Sequence, residues 1–153
     1  MMIFGHTIQN KRKNQTMKKQ LTAQEALIYV MVTTSAVDNE MRDEELRRID
    51  HVVTTLPVFN NFNEQDIVPT AEACAELLGI TNGLEIMLGL VKEALPNKLY
   101  ETAYALAFEI AAVDLDICRE EESFLNILQS ELGIDNLATT AIERGAKARH
   151  MVV

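Results

Sequence analysis

Two short stretches of this chain gather the residues best suited to chemistry. Asp38, Glu40, Asp43, Glu44 and Glu45 crowd into one, and Asp114, Asp116, Glu120, Glu121 and Glu122 into the other. Carboxylates converging at a tight corner can hold a hard cation, because calcium, magnesium and manganese prefer several oxygen ligands. The spacing is not that of an EF-hand. Counting from Asp38, position 5 is Arg42, position 6 is Asp43 and position 12 is Ile49; counting from Asp114, they are Cys118, Arg119 and Leu125. An EF-hand needs an acid or amide, a glycine and a glutamate there. The same residues also admit a purely structural reading. With Arg42 and Cys118 as N-caps, Glu45 and Glu121 stand three residues into the next helix, where a glutamate reaches back to the cap. Acidic first turns also suit the helix dipole, and Asp38 and Asp114 can serve a corner as helix-end caps. Both readings stay open on these residues alone.

The two stretches are copies of one pattern. Ala36-Val37-Asp38-Asn39-Glu40-Met41 and Ala112-Val113-Asp114-Leu115-Asp116-Ile117 align at a constant offset of 76, as do Glu44-Glu45 and Glu120-Glu121. Further on, Ile49, Val52 and Leu56 align with Leu125, Leu128 and Leu132. Each copy reads as apolar helix, acidic elbow, helix, which predicts a duplicated helical hairpin with pseudo-twofold halves.

Other candidates are thinner. His51 stands alone beside Val52 and Val53, His150 suits a last helical turn and His6 lies in the tail; none has the partners of a zinc site. There is no nucleophile elbow, phosphate loop or dinucleotide fingerprint, and no histidine is spaced to activate Ser35. Glu109 reads as solvent-facing, and Arg144, Lys147 and Arg149 as caps for the last helix's carbonyls. No enzymatic activity is expected.

The elements that must position the elbows are helical. Of 153 residues, 48% are hydrophobic and only 6 are Gly and 3 Pro, too few for a turn-rich sheet protein. Apolar residues recur with helical spacing in seven segments. Thr22 with Glu25 forms a capping box ahead of Leu27, Val30, Met31, Thr34 and Val37. The second segment carries Leu46 to Leu56 and stops at Pro57; the third carries Ile67, Ala71, Cys74, Ala75 and Leu78 and stops at Gly79. A fourth precedes Pro96, the fifth runs from Leu99 to Val113, the sixth ends at Gly133, and the seventh runs from about Asn136, through Ala141, Ile142 and Ala146, to near His150. The connections read as short, favouring antiparallel neighbours. Residues 1–20 are polar, basic and aperiodic and read as a disordered tail, with Met17 a candidate true start; 21–153 read as one helical domain.

Charge narrows the partners. The tail holds five bases and no acid, leaving 9 basic against 23 acidic groups elsewhere. Such a body repels phosphate backbones, so a cation or a protein partner is expected rather than nucleic acid. Cys74 and Cys118, without a paired spacing, read as free thiols of a reducing compartment. The longest apolar run, Ala26–Val32, is far too short to span a bilayer, and Gln24 and Glu25 spoil it as the core of a signal peptide. A cytoplasmic location is expected.

The segments Ala26–Val32, Ser35-Ala36-Val37-Asp38, Glu101–Ala107, Ala111–Asp114 and Ala141–Arg149 together resemble the tellurite-resistance TerB-like family, over about residues 20–151. The most specific likeness is the twice-repeated alanine-rich helix that ends in Asp, followed by an acidic turn and a Glu seven residues after the Asp. The resemblance implies an all-α fold with duplicated halves and no enzymatic activity. It also implies a divalent-cation site and a role in tellurite resistance and stress response, as a partner in larger assemblies. Carried over, the metal positions are Asp38, Glu40 and Glu45 in the first copy and Asp114, Asp116 and Glu121 in the second. Two positions depart from the family pattern: Asn39 and Leu115 stand where a glycine commonly follows the Asp, and Arg42 and Cys118 where Ser, Thr or Asp commonly caps the helix.

Overall fold

A computed structural model describes residues 20–37, 43–112 and 116–153. Among them are seven α-helices and no strand: α1 (Ala23–Ala36), α2 (Asp43–Thr55), α3 (Ile67–Leu78), α4 (Gly83–Ala94), α5 (Tyr100–Ala111), α6 (Arg119–Leu132) and α7 (Asn136–Arg149). The fold is all-α, as the periodicity requires.

The first helix is the centre of the molecule. Thr22 Oγ1 accepts from the Glu25 amide and Glu25 Oε1 accepts from the Thr22 amide, both at 3.1 Å, so the capping box forms. From Ala26 to Ser35 every residue is buried. A helix apolar on all sides needs neighbours on all sides, and α1 packs against α3, α4 and α5, with lesser contacts to α2 and α6. Two of its buried hydroxyls are satisfied locally: Thr33 donates to the Tyr29 carbonyl at 2.7 Å and Thr34 to the Val30 carbonyl at 2.8 Å.

The second buried helix is α5, which lies against α1 and α7. Ala103, Ala107 and Ala111, four apart, form one buried face, with Tyr104, Phe108 and Ile110 filling the space beside it. Two tight junctions follow from glycine. At the end of α6, Gly133 takes φ 64°, and the Ile134 and Gly133 amides return to the Gln129 and Ser130 carbonyls. That pair of bonds closes the helix and turns Ile134 back into the core. At the start of α4, a Cβ on Gly83 would lie 2.1 Å from the Leu77 carbonyl oxygen, so only glycine lets α4 meet α3 there.

Several expectations need correction. Ala75, Ala141 and Leu56 are exposed rather than core, because their neighbours Cys74, Ala146 and Val53 already fill the inward arc. Leu56 and Leu132 align in the repeat but differ in burial, 37% against 5% exposed. The α2–α3 connection is not short. It spans 56–66 and contains two 3-10 turns, Pro57–Phe59 and Glu64–Asp66. Pro57 opens the first turn, and Asn61 takes a left-handed φ of 69° between them. Gly79 ends α3 with φ −79°, so no left-handed cap is used.

Candidate functional site

The elbows follow α1 and α5 and lead into α2 and α6. These four helices keep the offset of the repeat closely: α2 begins at Asp43 and α6 at Arg119, so Glu45 and Glu121 are each the third residue of their helix. Glu45 and Glu121 are half-buried, while Asp116 is exposed three residues before α6. Asp38, Glu40 and Asp114, like Arg42 and Leu115, lie outside the described residues. Among the described residues, no group of three or more His, Cys, Asp or Glu side chains is placed to hold a metal. Glu45, Asp116 and Glu121 therefore do not make a site by themselves.

In the second elbow Cys118 is the N-cap of α6, with extended backbone. Its thiol donates to Glu121 Oε1 at 3.0 Å. Partial burial, and then the adjacent Glu121 carboxylate, push the thiol up to about 11. Cys118 thus holds the N-cap position that the spacing suggests, but the contact runs from thiol to carboxylate and its side chain caps no helix amide.

The first elbow carries a different signal. Ser35 is 3% exposed in the last turn of α1, and its Oγ has no hydrogen-bond partner. It is the one sequestered side-chain oxygen or nitrogen without a partner among the described residues. Thr33 and Thr34 beside it both bond back to α1 carbonyls. A buried hydroxyl without a partner costs about 1–3 kcal/mol, so this oxygen singles out the last turn of α1, three residues before Asp38 in sequence.

Two arrangements lay beyond the sequence patterns. Glu109 is not a solvent-face residue. Its carboxylate holds the end of α7, with Oε2 accepting from Arg149 at 2.9 Å and Oε1 2.6 Å from His150 Nε2. Residues 40 apart in sequence gave no local signal for this clasp. Away from the elbows, a cleft of about 520 Å³ opens between the start of α1, the 56–66 connection and α3. Gln24, Glu25, Tyr29, Phe62 and Asp66 are among its lining residues. Glu25 is legible in the sequence only as a cap, yet it also lines this cleft. The run Asn60-Asn61-Phe62-Asn63 was the available hint, since asparagines mark left-handed turns.

A family model described as Tellurite resistance protein TerB matches residues 24–144. The chain belongs to the TerB family. The match covers α1 through most of α7, including both elbows. TerB is a family of non-enzymatic helical domains, and the chain is a helical module of the tellurite-resistance type. Searches of curated proteins and of solved structures gave no match. No helix among the described residues is long and apolar enough to cross a membrane.

Proposed function

We propose that this TerB-family chain is a non-catalytic, cytoplasmic stress-response module that binds a divalent cation through its acidic elbows and presents that state to a protein partner. The observation that carries the reading is Ser35 Oγ, a buried oxygen without a hydrogen-bond partner among the described residues, three residues before Asp38 in sequence. An ion held by Asp38, Glu40 and Glu45, or one of its bound waters, would supply the missing partner. The donor set is all oxygen, which suits calcium, magnesium or manganese. Asp114, Asp116 and Glu121 would form the equivalent set in the second elbow. There Leu115 stands where the family commonly has a glycine, which favours the first elbow as the stronger site.

A second reading has its own support. The bond from the Cys118 thiol to Glu121 supports a structural task for one of the six proposed ligands. On that reading the elbows are caps, and the module is an interaction scaffold without metal.

Thermal unfolding separates the two. The chain is melted in chelator, then with excess calcium, magnesium, manganese or zinc. An ion at 100 times its Kd adds about 2.7 kcal/mol, or several degrees at this size. A shift with a hard cation that disappears in the Asp38→Asn, Asp114→Asn double variant supports the cation site. The absence of a shift with every ion overturns it and leaves the scaffold.

A further inference from the structure

The cleft beside α1 has walls that are fixed and donors that are already used. Gln24 Nε2 gives hydrogen bonds to the Val58 and Asn60 carbonyls, both at 3.1 Å. That pins the 56–66 connection to α1 and leaves the Gln24 carbonyl oxygen as an acceptor. Thr70 spends its hydroxyl proton on the Asp66 carbonyl at 2.6 Å, again leaving lone pairs. Glu25 accepts the Thr22 amide with Oε1, and its Oε2 has no hydrogen-bond partner among the described residues. The Asp66 carboxylate caps nothing. Among the described residues, no lysine, arginine or histidine lines the cleft.

The second observation is Tyr29. It is 7% exposed, lines the cleft and makes no side-chain hydrogen bond among the described residues. Its hydroxyl is not among the fully buried oxygens left without a partner among the described residues, so it keeps some exposure, and the residue that carries it lines the cleft. Phe62, braced edge-on against Phe59 at 6.2 Å between centroids, adds an aromatic wall.

An acceptor-rich, acidic cleft with aromatic walls selects a donor-rich cation. A bare metal ion fits poorly, because no three acidic, His or Cys side chains among the described residues converge there. An alkylammonium group fits better. It brings three N–H donors to Glu25, Asp66 and Gln24, and its stem and charge suit an aromatic face. The volume is within the range of small-molecule sites. We propose that this cleft binds a small primary alkylammonium ion, recognised by Glu25, Asp66, the Gln24 carbonyl and the Tyr29 hydroxyl.

The test is an amide-resolved NMR titration of the full chain in chelator with n-butylammonium chloride, against tetramethylammonium chloride and 1-butanol. Saturable shifts confined to residues around 22–29 and 58–70 are expected with n-butylammonium. Tetramethylammonium, with equal charge and no N–H, should bind about tenfold more weakly or worse, as should uncharged butanol. Asp66→Asn, at an exposed position, and Tyr29→Phe should each weaken binding about fivefold or more while the spectrum stays folded. The Asp38→Asn, Asp114→Asn variant should bind as the parent does, which separates this cleft from the elbows. No saturable response to n-butylammonium, equal binding of tetramethylammonium, or full affinity in Asp66→Asn would each overturn the assignment.

Discussion

Ser35 and Cys74 show how a buried polar atom can be read from its neighbours. Cys74 Sγ lies 3.6 Å from the Tyr29 carbonyl and from Thr33 Oγ1, so its thiol is partnered as well as buried. Ser35 Oγ has no hydrogen-bond partner among the described residues. Removing it should therefore help the apo protein: Ser35→Ala in chelator is expected to raise stability by about 1 kcal/mol, read as a higher thermal midpoint. If the elbow holds a cation, the same variant should shrink the cation-induced shift. Cys74 gives a pH prediction. Burial raises its thiol from 9.0 to about 11, and burial also raises Tyr29 and Tyr104. A group with a raised folded value binds its proton longer when folded, so its contribution is complete below the unfolded value and is lost as pH rises through the folded one. Urea midpoints should thus fall between about pH 9 and 11, more steeply than carboxylate titration alone would allow.

Helix identity was legible in the sequence, and helix junctions only in part. Thr22 with Glu25, Pro57, Pro96 and Gly133 announced their boundaries because each acts through local backbone chemistry that needs no tertiary partner. The 56–66 connection was not legible, because Gln24, more than thirty residues away, fixes it. The candidate site was legible as residue types and register: Glu45 and Glu121 occupy the same helical position, as the offset required. Whether side chains from two elbows converge depends on packing that no local pattern encodes. Gly83 is a junction whose role only the fold reveals. Gly83→Ala sets a methyl against the Leu77 carbonyl and should destabilise by about 1–3 kcal/mol, seen in denaturant midpoints. Gly89→Ala meets open space at its Cβ and should stabilise by about 0.5–1 kcal/mol instead.

Across the whole molecule, α1 and α5 form the shared interior, and the other helices cover them. Polar contacts add to this covering at the last helix: the clasp of Glu109 with Arg149 and His150, and the Tyr104 hydroxyl, which donates to Glu143 Oε1 at 2.7 Å. Because Arg149 is largely exposed, the clasp carries little energy, and its effect should be local. Glu109→Gln is expected to leave the thermal midpoint within about 1 kcal/mol of the parent, yet to speed hydrogen exchange at the α7 end, from Ala146 to His150. Unchanged exchange there would show that the remaining contacts, among them buried Ala146 and the Tyr104–Glu143 bond, hold the helix.

The all-round burial of α1 also has a cost on the ribosome. This helix is made before any of the partners that cover it, and α5 is complete only at Ala111. At about 5–20 residues per second, the stretch from Ala26 to Ser35 waits several seconds as a nascent apolar segment with no fold to join. During synthesis that stretch is an exposed apolar segment of the kind prone to aggregate. Slowing translation between residues 36 and 111 should lower the yield of native protein more than slowing it after 111.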